Sequence, residues 1–177
     1  MIRSLLDIYR HEGKLPDCRM SLCKGFTQGG SNADVVLADA YVKNLTQDID
    51  WARVYEAVVS DAEDEPKNWA VEGRGGLASW KSLGYIPADD YDPYGVGPFT
   101  RSISRTVEYA YNDFCIAEMA RGLGHTSDHE RYISRSENWK NLIREDQNST
   151  INGTQTGFTG FLQPKFLNGT WGFQGPI

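Results

Sequence analysis

The stretch "SISRTVEYAYNDFCIAEMARGLG", residues 102–124, decides how the rest of this chain is read. Its apolar and aromatic residues recur at helical spacing, and Gly124 supplies a stop, so the spacing predicts a helix over 102–122. Val107, Ala110, Tyr111, Phe114 and Ala117 form one stripe. Ile116, Met119, Ala120 and Leu123 widen it until the C-terminal half is apolar nearly all round. A helix of that kind belongs to an inner layer of a helical domain rather than to its surface. Glu108 stands one residue off the stripe, between Arg105 and Tyr111 and one turn from Asn112. It can be a surface carboxylate paired with Arg105 at i, i+3, a contact of a few tenths of a kcal/mol. It can also be an acid in a tyrosine-lined pocket, where desolvation keeps a carboxyl protonated for general-acid work. Helix geometry alone favours the first.

Working outward, the rest of the chain reads as helices joined by loops of very unequal length. "IRSLLDIYRHEG" is a helix that ends at Gly13, and Ser31 or Asn32 caps a second through "ADVVLADAYVKN". Asp48 or Asp50 starts "DWARVYEAVVSDAEDE", which Pro66 stops, and "GGLASWKSLG" is a short helix closed by Gly84. After residue 124 a further helix is expected along "SDHERYISRSENWKNLIRE", with Tyr132, Ile133, Trp139 and Ile143 on its apolar stripe. The tail "TGFTGFLQPKFLNGTWGF" alternates glycine with aromatics and reads as hairpin strand or extended loop. No fixed repeat of a helical solenoid is present. The loops 14–30 and 85–99 are rich in Gly, Pro and aromatics, and long loops in a compact helical domain tend to build sites.

Composition narrows the class of function. The 177 residues carry a net charge of −6, and the 18 Lys and Arg are scattered, which speaks against a nucleic acid or an anionic membrane as partner. The acidic run "DAEDE" at 61–65 reads as a solvated helix end, and no stretch approaches the roughly 18–20 apolar residues of a membrane span. Four N-glycosylation sequons begin at Asn44, Asn148, Asn152 and Asn168, and together they point to a secreted protein. The N-terminus "MIRSLLDIYRHEGKLP" lacks the apolar core of a signal peptide, so the chain is expected to be an internal piece of a longer secreted protein. Cys18 and Cys23 are near enough in sequence for a local disulfide, which leaves Cys115 as a buried thiol in the apolar helix.

Four segments, in order, carry a resemblance to a known family. "GGSNADVVLADAYVKN" is similar to the helix opening D-x-V-I-A-D-A-Y of glycoside hydrolase family 92, the α-mannosidases. "VEGRGGLASWKSLGYIPAD" resembles that family's Gly-Arg stretch ending L-G-Y-V-P. "TVEYAYND" resembles its T-x-E-Y-A-Y-D-D segment, and "TGFLQPKFLNGTW" its G-F-x-x-P-K-x-x-D-G-x-W hairpin. The resemblance covers most of residues 1–173 and implies a mainly α fold, part of an (α/α)6 barrel of antiparallel helical hairpins with a short β-hairpin near the C-terminus. It makes the whole chain, 1–177, one partial domain of such a barrel.

Carried over by position, Glu108 matches the family's general acid, the group that protonates the glycosidic oxygen as the bond to the sugar breaks. The family inverts the anomeric centre, which needs a second carboxylate about 6.5–9.5 Å away to activate water. The family's base lies in a G-N-D-D-x-G segment that this chain lacks, so the isolated chain is expected to be inactive. The resemblance also implies Ca2+, a cation that takes six to eight oxygen ligands, but marks no ligand among these residues. Asp34, Asp39 and Arg74 are candidate contacts to mannose hydroxyls. Asp34 and Asp39 also suit the first turns of a helix, a role favoured for Asp34 and left even for Asp39, and Arg74 could tie down its turn. Trp80 and Asn112 stand where the family has Tyr and often Asp. The implied partners are α-mannoside glycans and the remainder of the catalytic domain. Two other readings compete: another (α/α)6 carbohydrate enzyme, such as an inverting glucosidase or a polysaccharide lyase, and a helical scaffold without chemistry.

Overall fold

The computed structural model describes residues 1–17, 31–45, 47–90 and 101–173. Six α-helices, a 3-10 turn and one hairpin follow in order. They are α1 (Ile2–Glu12), α2 (Asn32–Val42), α3 (Trp51–Glu63), α4 (Leu77–Leu83), α5 (Ser102–Leu123) and α6 (Thr126–Arg135), then the turn Ser136–Leu142, β1 (Ile143–Ile151) and β2 (Thr154–Leu162). The chain is mainly helical, as its periodicity implies, and α5 lies at the centre, against α2, α3, α6 and the 3-10 turn.

Local chemistry sets most helix ends. The Asp50 side chain accepts from the Arg53 amide at 3.1 Å and so starts α3. Gly13, Gly84 and Gly124 end α1, α4 and α5 in the left-handed conformation that an L side chain resists. Ser31 precedes α2 but does not cap it with its side chain; its hydroxyl donates instead to Asp61, at 3.0 Å. The main core joins Leu5, Leu6, Leu37, Val54, Val58, Ile116, Met119 and Tyr132. Each large side chain buried there contributes roughly 1.5–3 kcal/mol relative to exposure. A smaller cluster of Leu77, Trp80, Ile86, Tyr109 and Ala110 packs α4 onto the first half of α5.

Three expectations need correction. The stripe on α5 does not face the core throughout: Ala110 and Ala117 are buried, but Tyr111 is 51% exposed and Phe114 41%, stacked on each other at 6.3 Å. The inward side carries Arg105, Asn112 and Asp113 as well as Tyr109 and Ile116. Polar groups with buried partners therefore set the rotation of this helix, and hydrophobic spacing does not register them. The helix expected through residue 145 stops at Arg135. The next residues tighten into the 3-10 turn, and Ile143 begins a strand. There β2 satisfies the backbone, pairing antiparallel with Ile143 opposite Leu162 and Ile151 opposite Thr154. The hairpin thus takes in "IREDQNSTI" as well as the glycine-rich tail. Asn152 and Gly153, both at positive φ, make its turn.

Cys115 is buried, and burial pushes its thiol up to about 12, so it stays protonated. Cys18 and Cys23 lie outside the described residues. No helix is long and apolar enough to cross a membrane, among the described residues.

Candidate active site

The sequence "EGRGG", 72–76, supplies a cation to the interior and removes side chains around it. A Cβ on Gly75 would sit 2.2 Å from the Trp69 ring, and one on Gly76 would sit 2.6 Å from the Arg105 guanidinium. Glycine at both positions lets the backbone approach. Trp69 then stacks on Arg105, whose guanidinium carbon lies 4.2 Å from the ring centroid. Arg105 donates to the Gly75 carbonyl. The Tyr109 hydroxyl closes the same knot, accepting from the Gly75 amide at 3.0 Å and donating to its carbonyl at 2.9 Å.

Arg74 is fully buried and forks between two helices. It donates to Asp34 of α2 at 3.0 Å and to Asp113 of α5 at 2.6 Å. Asp113 also accepts from Arg135 of α6 at 2.7 Å and from the Trp80 indole at 3.1 Å. Arg135 continues to Glu63 of α3, at 2.7 Å. Partial burial pushes Glu63 up, but Lys81, Arg135 and the Tyr132 hydroxyl together hold it down at about 2. One chain of charges, fully buried at Arg74, Asp34 and Asp113 and partly buried at Arg135 and Glu63, therefore ties α2, α3, α5 and α6 to the Gly-rich turn.

Two acids in this region are held the other way. Burial pushes Asp34 up to about 6 despite Arg74. Burial pushes Asp61 well above the usual carboxylate range; beside Asp34, it accepts hydrogen bonds from the Leu15 amide and the Ser31 hydroxyl. The sign of the consequence follows from linkage. A carboxyl raised above its unfolded value binds a proton more tightly in the native state. Its stabilisation is complete below the unfolded pKa and is lost as pH rises through the folded one. Between about pH 4 and 7 these acids therefore destabilise the fold progressively. Asp61→Asn removes one of those charges while keeping an acceptor for the Leu15 amide. It is expected to raise stability at pH 7 by on the order of 1–2 kcal/mol and to change it little at pH 4. Thermal melts of both proteins across that range would show it, and parallel curves would refute it.

Of the three acids on α5, Asp113 is held by Arg74 and Arg135, and Glu118 pairs with Arg121. Glu108 is half-buried and has neither hydrogen bond nor ion pair among the described residues. The pairing with Arg105 that the spacing allows does not form, because Arg105 is turned into the core toward Gly75 and Trp69. One turn beyond Glu108, the fully buried Asn112 accepts from the Ser31 amide at 3.2 Å and donates to the Ser31 carbonyl at 3.0 Å. The carboxamide supplies both the acceptor and the donor, so Asn112 clamps the entry to α2 against the helix that bears Glu108.

The other candidates separate. Asp34 and Arg74 are brought together as a buried pair, and Asp34 makes no helix cap. Asp39 faces solvent and pairs with Lys43 at 2.8 Å. Trp80 is fully buried and serves Asp113. The network residues Asp113, Arg135, Glu63 and Asp61 escaped the sequence reading. One signal was available: an aspartate on a helix apolar nearly all round needs a buried cation. Among the described residues no three His, Cys, Asp or Glu side chains converge as a metal cage would, and these acids do not fit a calcium site.

The glycosyl hydrolase family 92 catalytic domain matches residues 1–176. The chain belongs to glycosyl hydrolase family 92. It is 65% identical over 173 residues to an uncharacterized secreted glycosidase of Arthroderma benhamiae, covering 98% of this chain and 22% of that protein. Its structure is similar to the GH92 inverting mannosidase BT2199 of Bacteroides thetaiotaomicron, with TM-score 0.80 and 25% identity, over 99% of this chain and 21% of that one. The GH92 α-mannosidase BT3965 of the same bacterium, in complex with mannoimidazole, matches with TM-score 0.72 and 26% identity over 99% of this chain and 20% of that one. The chain thus spans about a fifth of these family 92 relatives. Their likeness accords with the helical layers described here as part of a helical barrel.

Proposed function

We propose that this chain is the acid-bearing part of a secreted family 92 exo-α-mannosidase that removes terminal mannose from N-glycans or mannan with inversion. The observation that carries the reading is Glu108, which has no pairing partner among the described residues, on a largely buried helix whose neighbouring acids are neutralised. Family membership and the inverting mannosidase among the similar structures support the reaction class, and the secreted relative supports the location.

In this reading Glu108 is the general acid, giving a proton to the glycosidic oxygen as the C–O bond breaks. Water then attacks the opposite face of the sugar, activated by a carboxylate about 6.5–9.5 Å away that the rest of the parent polypeptide supplies. Arg74, Asp34, Asp113 and Arg135 hold α5 in place, and Asn112 sets the loop entry beside the acid. Asp34 and Arg74 act through that scaffold, and Asp39 is left as the solvent-side candidate for a sugar hydroxyl. Calcium, which the family resemblance implies, would draw its ligands from outside the described residues.

The test is mannose release from α-1,2-, α-1,3- and α-1,6-mannobiosides by the full-length polypeptide, with the anomer of the first-formed sugar read by NMR. The expected product is β-mannose, and the 177-residue chain alone is expected to release none. Retention of the α-anomer, or activity confined to glucosides or uronates, would overturn the reading.

A further inference from the structure

The β1–β2 hairpin stands apart from the helical core. Most of its residues are exposed, including Ile151 at 68% and Phe158 at 72%. At the α5 side of the hairpin lies a cleft of about 620 Å3, lined by Ile103, Gln147, Asn148, Phe161, Leu162 and Gln163 among others. An aromatic ring, two aliphatic chains and three carboxamides make a surface suited to a sugar, which has apolar C–H faces and polar edges. Gly160 adds no side chain to the wall, and a Cβ there would meet nothing within 4 Å.

Asn148 is the residue in this lining that can bring the sugar with it. It begins the sequon Asn148-Ser149-Thr150, it is exposed, and it lies opposite Thr159 in the ladder. Thr150, whose hydroxyl the sequon requires, is exposed as well. The other sequon asparagines lie elsewhere. Asn44 follows the end of α2 at φ 57°, and Asn152 occupies the hairpin turn. The Asn168 side chain is engaged by the Thr170 amide and hydroxyl, at 2.9 and 2.7 Å.

We propose that Asn148 carries an N-linked glycan whose first N-acetylglucosamine residue lies in this cleft, against Phe161 and Ile103. The donor is a lipid-diphosphate-linked oligosaccharide. A bond forms between Asn148 Nδ2 and sugar C1, the C1–O bond to the diphosphate breaks and the diphosphate leaves with the electron pair, and Nδ2 loses one proton. The proposal rests on the secreted location of the parent polypeptide and is independent of its catalytic activity.

The experiment uses the full-length polypeptide secreted from a eukaryotic host. Glycopeptide mass spectrometry is expected to find Asn148 modified. Trimming to the single innermost N-acetylglucosamine is expected to leave Tm unchanged, and complete removal by an amidase to lower it by about 1 °C. Thr150→Ala, which abolishes the sequon but keeps Asn148, is expected to give the same loss, and Phe161→Ala to remove most of the difference between glycosylated and bare protein. Asn152→Gln serves as the control and leaves that difference intact. Modified Asn152 or Asn168 beside a bare Asn148 overturns the proposal alone, as do Thr150→Ala and Phe161→Ala effects that simply add. A protein bare at every sequon overturns the secreted reading with it.

Discussion

Arg74→Met is expected to destabilise the fold by about 3–5 kcal/mol, because it removes the cation shared by two buried ion pairs and strands a buried carboxylate. Arg74 is the cation bound to Asp34 and one of two bound to Asp113, and its guanidinium carbon also lies 5.5 Å from the Tyr109 ring centroid. Asp113 keeps Arg135 and the Trp80 indole in the variant, so the stranded charge is Asp34. Asp34 already sits at about 6 with Arg74 beside it, and loss of the cation raises it further. By the same linkage, protonation relieves the deficit. The variant should fall short of wild type by more at pH 7.5 than at pH 5. Denaturant titrations at the two pH values would measure this, and adding Asp34→Asn to Arg74→Met should recover part of the loss. A deficit under about 1 kcal/mol at pH 7.5 would mean that the network does not hold the helices together.

Glu108→Gln in the full-length polypeptide is expected to lower kcat on a mannobioside by about 10²–10⁴-fold, the range of a lost general acid, with little change in KM. The glutamine keeps the size of the side chain and removes its proton. The substitution breaks no hydrogen bond or ion pair among the described residues, so thermal stability should stay within about 0.5 kcal/mol of wild type. An aryl α-mannoside with an acidic phenol needs no proton at departure, and its hydrolysis should suffer much less. Equal losses on both substrates would point to a binding role for Glu108. Undiminished activity on the disaccharide would make it a bystander and place the acid elsewhere.

Much of this architecture was written locally. The glycines at 13, 84 and 124, the Asp50 cap and the helical spacing place α1 to α5 close to where they stand. The segments "VEGRGG" and "TVEYAYND" carry the family in their residue order. Those signals are short-range, set by hydrogen bonds within a turn or by side chains three and four positions apart, and a one-dimensional reading can follow them.

What the sequence could not decide was which face of α5 turns inward and where α6 ends. Tyr111 and Phe114 look like core and stand half-exposed, while Asp113 and Arg105 look like surface and are buried. The reason is that a buried charge is tolerable only when a partner arrives from elsewhere in the chain, and those partners lie 39 residues away for Arg74 and Asp113 and 22 for Arg135 and Asp113. The same holds at the site. Glu108 could be named as a candidate from the resemblance of "TVEYAYND" to the family's segment. That it does not pair with Arg105 depends on Trp69 and the Gly75 carbonyl drawing Arg105 away, and that is decided by the tertiary fold.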